Sequence, residues 1–354
     1  DYVLEERMAK SPQKVLEFLN ELLTKAKPFA QKDVEELSAL AKADGITEMQ
    51  SYDHAYYAEK LRKQKFDFND EELKPYFQLD KVQEAVFGLA GKLFGLEFVE
   101  TNDVQKYHAD VKTYEIYEGE NFKALLYADY HPRKGKRAGA WMTSFKNQYI
   151  KNGENHRPHI SVVCNFTKPT SETPSLLTFN EVTTLFHEFG HALHGVLANT
   201  QYPNLSGTSV KWDFVELPSQ FLENYCYEPE FLKTFAKHYQ TGEVLPDEKI
   251  QKIEDSKNFM EGYQTLRQLS FGILDMSYHA ENVKVEDVKT FETETIKATQ
   301  VYPTLAETAV STSFSHIFQG GYSAGYYSYK WAEVLDADAF QYFKENGVFD
   351  PLIS

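Results

Sequence analysis

Residues 178–196 read T-F-N-E-V-T-T-L-F-H-E-F-G-H-A-L-H-G-V, and this run decides the fold. Thr178-Phe179-Asn180-Glu181 is a capping box, in which a threonine oxygen and a glutamate carboxylate satisfy the first free amides of a helix. Leu177 and Val182 stand where a hydrophobic staple places its pair. Leu185, Phe189, Ala192, Leu193 and Val196 recur at helical spacing, and Asn199 followed by Pro203 supplies a stop. The run is therefore expected to form a helix. Gly190 is a poor helix former in its middle. It signals close approach of another element or of a ligand, or a simple packing contact.

His187-Glu188-Phe189-Gly190-His191 lies inside that helix. A four-residue step turns about 400° and rises roughly 6 Å, so both imidazoles leave one face and can reach one ion. Glu188 lies about 100° round from His187, beside the ligands and not among them. A base acting on metal-bound water belongs there, and the H-E-x-x-H pattern is that of a zinc peptidase. The bland alternative is a pair of histidines that pack or face solvent.

A hydrolytic zinc needs three protein ligands and one open position. The class that adds a third histidine in H-E-x-x-H-x-x-G-x-x-H is excluded, because Leu197 occupies that place. His194 is a candidate by position, one turn beyond His191. The other class takes a glutamate from a downstream helix, and Glu216, Glu223, Glu228 and Glu230 all follow. Glu216, in W-D-F-V-E-L-P-S-Q (212–220), is best placed: Pro218 marks a first helical turn, and a carboxylate among apolar neighbours needs a cation. Alternatively, Asp213 and Glu216 cap that helix. Asp213, Gln220 or Glu223 are the candidates to orient a ligating imidazole.

The composition sets outer bounds. With 42% hydrophobic and 25% charged residues, the 354-residue chain is an ordinary globular sequence, long enough for one large domain or two. Lys+Arg 37 against Asp+Glu 53 gives a net charge of −16, which argues against a nucleic-acid or anionic-membrane surface. Cys164 and Cys226 are too few for a disulfide framework or a cysteine metal site, and Cys164, in an apolar strand-like run, reads as a buried free thiol. They fit the cytoplasm, though a cysteine-poor periplasmic protein would look the same. No uninterrupted apolar run reaches the roughly 18 residues of a membrane span. The chain starts at Asp1 with no signal-peptide pattern, and both ends are expected to be cut from something longer.

Outward from the central helix, residues 1–100 read as successive helices. Ser11-Pro12 opens the first, Val15, Leu16, Leu19, Leu22 and Leu23 form its stripe, and Pro28 is expected to end or kink it. A small sheet is expected over about 105–167, closing on Ile160, Val162, Cys164 and Phe166 at period two. After 178 the pattern is helical again, apart from loops near 199–212 and 319–325. One loop stands out: F-S-H-I-F-Q-G-G-Y-S-A-G-Y-Y-S-Y (314–329), with three glycines in six residues and tyrosines at 322, 326 and 329. Its histidine and tyrosines are suitable donors to an oxyanion. With 23 tyrosines in the chain, a tyrosine stripe is also compatible with core packing.

Taken together, H-E-F-G-H-A-L-H (187–194), S-G-T (206–208), D-F-V-E-L-P-S-Q (213–220) and His316 with Gly320-Gly321-Tyr322 and Tyr326–Tyr329 resemble the thimet oligopeptidase family of zinc peptidases. Softer similarity spans the chain, and Glu216–Phe221 with Leu266–Leu269 looks most like the bacterial oligopeptidase A and peptidyl-dipeptidase branch. The resemblance implies a mainly α, zincin-like fold with a small sheet beside the zinc helix. It implies one zinc held by His187, His191 and Glu216, with Glu188 as general base. His316, Tyr326 and Tyr329 would contact substrate or stabilise the oxyanion, with Tyr322 and Gly321 binding substrate nearby. Substrates would be short peptides, and the chain is expected to act as a monomer. The family's long N-terminal lobe and basic C-terminal tail have no counterpart here. The whole of 1–354 is thus expected to be a catalytic region, with a zinc- and peptide-binding fragment of weak turnover as the alternative.

Overall fold

The computed structural model describes residues 2–66 and 70–353. In chain order the elements begin with helices α1 (Tyr2–Glu5), α2 (Pro12–Ala43), α3 (His54–Phe66), α4 (Asp70–Leu73) and α5 (Leu79–Phe94). Strands β1 (Leu96–Glu100), β2 (Lys112–Glu118), β3 (Asn121–Asp129), β4 (Trp141–Lys146), β5 (Tyr149–Lys151), β6 (Glu154–His156) and β7 (His159–Val163) follow. Then come α6 (Phe179–Val196), α7 (Leu217–Glu223), α8 (Pro229–Phe235), α9 (Asp247–Ser256), α10 (Glu261–Tyr278), α11 (Val288–Ile296) and α12 (Ser328–Asn346). The fold is mainly α, as its periodicities and its family resemblance imply.

The chain divides into two compact units: Asp1–Phe68, Lys211–Phe214 and Asp255–Trp331 form one; Asn69–Val210, Val215–Glu254 and Ala332–Ser354 form the other. In the first, α2 packs along α10. Val15, Leu19 and Leu23 of the α2 stripe are buried with Leu266, Leu269 and Met276 of α10, whereas Leu16 is left exposed. Ser11 caps α2, its Oγ accepting from the Lys14 amide at 3.3 Å.

Pro28 does not end α2, which continues for 15 residues beyond it to Ala43. A proline inside a helix costs about 3 kcal/mol, so tertiary contact must outweigh the local rule. The contact is close: a Cβ on Gly262, in the first turn of α10, would lie 2.5 Å from the Ala30 nitrogen. Nearby, the Tyr263 amide donates to Asp33 Oδ2 at 3.0 Å.

The second unit holds a five-stranded sheet in the order β1-β2-β3-β7-β4, and β5 pairs with β6 apart from it. All pairings in the larger sheet are antiparallel except β3 with β7, where Leu126 pairs with Ile160 and Ala128 with Val162. The sheet begins at Leu96, earlier than the pattern near residue 105 suggests. Gly95, at φ +67°, ends α5 in a left-handed turn, and the short L-E-F-V-E alternation pairs directly with β2.

β7 lies inside the sheet, so Ser161 and Val163 are buried along with Ile160 and Val162. It delivers the chain to α6, whose Leu185, Phe186 and Phe189 are almost fully buried. Each such side chain contributes about 1.5–3 kcal/mol on burial. Arg157 donates to the Val196 and Ala198 carbonyls at 2.6 and 2.9 Å, satisfying the far end of α6.

The stretch between α11 and α12 is not helical, contrary to the pattern expected after residue 178. It consists of turns and a 3-10 turn at Ser315–Ile317, following another at Lys297–Thr299. Pro303, the run Ser311-Thr312-Ser313 and three glycines explain why no helix propagates there. Among the described residues, no helix is long and apolar enough to cross a membrane.

Candidate metal centre

The capping box at the start of α6 is formed on both sides. Thr178 Oγ1 accepts from the Glu181 amide at 3.1 Å, and Glu181 Oε2 accepts from the Thr178 amide at 2.8 Å. Leu177 and Val182 are both fully buried. From this fixed start the helix carries His187 and His191 to one face, their ring centroids 5.0 Å apart and nearly perpendicular.

Glu216 meets them from the position preceding α7, with Pro218 in the first turn of that helix. Its Oε2 lies 3.3 Å from His187 Nε2 and 3.2 Å from His191 Nε2. Among the described residues, donor atoms of His187, His191 and Glu216 lie within 4.8 Å of one another. Ser219 Oγ donates to the same carboxylate oxygen at 3.0 Å and to the Glu216 carbonyl at 2.8 Å, fixing the acid from its own helix.

Gly190 has a structural reason. A Cβ there would lie 2.5 Å from the Pro218 carbonyl oxygen and 2.6 Å from Ser219 Cα. Only glycine lets the α7 backbone rest on α6, and this contact brings Glu216 to the histidines. Gly195 plays the same part toward the sheet, where a Cβ would meet Ile160 Cδ1 at 2.6 Å.

Of the three possible orienting groups, Glu223 meets the first histidine of the motif: its Oε1 is 2.6 Å from His187 Nδ1. Asp213 lies in the other unit, where it accepts from the Met8 and Ala9 amides and the Tyr327 hydroxyl. Glu216, the residue preceding α7, shows no side-chain capping bond. Among the described residues, His191 Nδ1 is buried without a hydrogen-bond partner. His194 is not in the converging group. It borders a cavity of about 550 Å³ walled by Leu193, Leu197, Leu217 and Phe221.

The electrostatics suit a cation. Burial alone would lower the His187 pKa, but the Glu216 and Glu223 carboxylates override it and raise it to about 10. Burial alone would raise Glu216, yet its hydrogen bonds to both imidazoles hold it far below the ordinary carboxylate range. The pocket thus draws a proton onto an imidazole where a metal ion would supply the positive charge. Two ring nitrogens and one carboxylate oxygen converging on one point are a donor set that fits zinc. Glu188 is buried next to them, and desolvation raises its pKa.

The other unit contains the remaining sequence-derived candidates, and gathers them together. The exposed His316 ring stacks on Phe314 at 4.8 Å and lies 5.3 Å from Tyr322. Tyr322 and Tyr329 stack at 5.7 Å, with the Tyr329 hydroxyl donating to that of Tyr322 at 2.9 Å. Tyr326 is buried, 5.3 Å from the Tyr329 ring, and donates to Gln268 Oε1 at 2.8 Å. Gly321, at φ +85°, packs under the Trp212 ring. Tyr322 and Tyr326 lie in turns and Tyr329 in the first turn of α12, so no single helix presents all three tyrosines. Gln268 and Trp212 escaped the reading of the sequence as partners of this loop, since each lies more than fifty residues from its contact.

A sequence model of Peptidase family M3 matches residues 1–352. The chain is 43% identical over 350 residues to oligopeptidase A of Escherichia coli strain K12, covering 97% of this chain and 52% of that protein. It is 41% identical over 348 residues to dipeptidyl carboxypeptidase of the same organism, covering 97% of this chain and 51% of the relative. It is 42% identical over 351 residues to probable cytosolic oligopeptidase A of Arabidopsis thaliana, covering 96% and 50% respectively. The chain thus spans about half the length of these relatives.

Proposed function

This chain belongs to peptidase family M3, and from that premise we propose that it hydrolyses short peptides with a single zinc held by His187, His191 and Glu216. The observation that carries the reading is the convergence of those three donor atoms with buried Glu188 beside them. Zinc held there would supply Lewis acidity and a water of depressed pKa.

The chain's own groups do the rest. Glu188 accepts a proton from the attacking water and hands it to the leaving amine. Its burial supports this role, because desolvation raises its pKa and so favours its holding the proton between the two transfers. Glu223 fixes the His187 ring through Nδ1, leaving Nε2 for the metal. His316, Tyr326 and Tyr329 donate to the substrate or the developing oxyanion, and Tyr322 and Gly321 contact substrate. For these five residues the support is the family match and their clustering around one loop.

Relatives of nearly equal identity are named for oligopeptidase and dipeptidyl carboxypeptidase activity. The proposal therefore covers internal cleavage and release of C-terminal dipeptides. Mass spectrometry of products from free and C-terminally amidated peptides separates the two.

The test of the chemistry is Glu188→Gln, followed by metal analysis and cleavage of a quenched fluorescent peptide. Zinc content should persist while turnover falls by about 10²–10⁴, the usual share of a general base. Turnover retained with zinc bound would sink the role of Glu188. Zinc bound but no turnover even in the wild-type chain would favour a peptide-binding role.

A further inference from the structure

Gln268 and Asp275 stand seven residues apart on α10, two turns along one face. Asp275 is fully buried and, among the described residues, belongs to no group that could hold a metal ion. Its carboxylate accepts three successive backbone amides of the tyrosine loop: Ala324 on Oδ1 at 2.8 Å, then Gly325 and Tyr326 on Oδ2, each at 2.9 Å. His279 Nδ1 lies 3.0 Å from Oδ1. Gln268 accepts the Tyr326 hydroxyl. One helix face therefore holds the same tyrosine twice, by its amide and by its side chain.

The loop needs such a hold. Gly320, Gly321 and Ala324 have φ of +74°, +85° and +52°. Ala324 is not a glycine, so its left-handed backbone persists only where surroundings impose it. Three aligned amides form an anion-binding concavity, and here the anion is a side chain of the protein itself. The next residue along, Tyr327, is tied by its hydroxyl to Asp213 at 2.7 Å. Every bond from Asp275 to the loop falls on the backbone of 324–326, so its charge fixes the turn from which the tyrosines project.

We propose that Asp275 and Gln268 are positioning residues, which preset the 320–329 turn and so aim Tyr326 at substrate. This rests on the reading that Tyr326 acts on substrate. A merely structural role would leave Asp275→Asn equally harmful whatever residue stands at 326.

The experiment uses the zinc-loaded chain with Asp275→Asn, Tyr326→Phe and the double variant. Asp275→Asn keeps the shape but turns one acceptor oxygen into a donor facing amides. Zinc content should stay at the wild-type value. Hydrogen exchange over 320–329 should accelerate by about 10–100-fold, on the scale of a lost bond to a charged acceptor, while exchange over 179–196 is unchanged. Removing one oxyanion donor costs about 10²–10³ in kcat, and Asp275→Asn should approach the loss seen in Tyr326→Phe. In the double variant the two losses should not multiply.

Unchanged exchange over 320–329 overturns the clamp. Losses that multiply in full overturn positioning through Tyr326. If Tyr326→Phe alone leaves kcat intact, the earlier reading of that tyrosine fails, and the positioning role falls with it, while exchange still reports the clamp separately. Should Asp275→Asn fail to fold, Gln268→Leu carries the test. Its kcat should fall in the wild-type background and not beside Tyr326→Phe, and an undiminished kcat overturns the proposal.

Discussion

The centre on α6 and α7 and the loop at 316–329 achieve order in opposite ways. The first is built from regular helix: a capping box fixes its start, a four-residue step sets the two imidazoles, and Gly190 lets the next helix touch. The second has almost no regular structure. Three backbones at positive φ turn it, and buried carboxylates reached from remote sequence hold it. A helix carries its geometry in local propensity, so a site on it survives small changes nearby. An irregular loop borrows its geometry from distant partners, so one removed acceptor can undo it.

The largest effect expected of this contrast is on metal affinity. Glu216→Ala removes a proposed ligand, whereas Glu223→Ala removes only the group that orients His187. Loss of an orienting partner weakens metal binding by about 10–100-fold. Glu216→Ala should weaken it well beyond that, as read by competition with a chelator and by metal analysis. The reverse ranking would make Glu223 the ligand and would break the picture of α7 as a helix that presents Glu216 from its start.

A pair of glycine substitutions sharpens the contrast at a smaller scale. Gly190→Ala puts a carbon against backbone atoms of Pro218 and Ser219, none of which can swing aside. Overpacking of that kind costs about 1–3 kcal/mol, and α7 must shift with Glu216, so both thermal stability and zinc affinity should fall. Gly321→Ala strains a backbone at φ +85° by roughly 1–2 kcal/mol, and its new carbon meets the Trp212 ring at 3.1 Å. Here zinc affinity should be untouched while kcat declines. Undiminished zinc binding in Gly190→Ala would show that contact between α6 and α7 does not set the ligand.

Much of the helical centre was legible because its signals are local. Thr178 and Glu181 are three residues apart, and His187 and His191 four, within the reach of helical geometry. Glu216 was visible only as the best of several glutamates. Selecting Glu223 requires knowing which carboxylate meets His187 Nδ1, 36 residues away in sequence. The reason for Gly190 became visible only through Pro218, 28 residues on. Pro28 did not end α2 because that local rule lost to packing against α10. The loop was legible as a composition and a family resemblance, not as a geometry. The loop amides that Asp275 accepts lie 49 to 51 residues away, and no local pattern announces them. The five-residue β1 hid for a related reason: a strand that short is defined by the neighbour it pairs with.

The smallest effect tests how self-sufficient the zinc helix is. Thr178→Ala deletes the oxygen that accepts the Glu181 amide, while the backbone amide of residue 178 still donates to the Glu181 carboxylate. Losing such a cap costs about 1 kcal/mol, so the melting temperature should drop by about 2–4 °C for a unit of this size. His187 lies nine residues further on, two and a half turns of roughly 3.6 residues, past Val182, Leu185 and Phe186, which are themselves buried. Packing, not the cap, then holds the ligand turn, so zinc affinity and kcat should match wild type. Thr178→Ser should restore the lost stability, because it keeps the acceptor oxygen. If zinc affinity fell together with the melting temperature, the helix would transmit strain from its first turn to its ligands. The centre would then depend on a single remote bond, as the tyrosine loop depends on Asp275, and the distinction between the two regions would disappear.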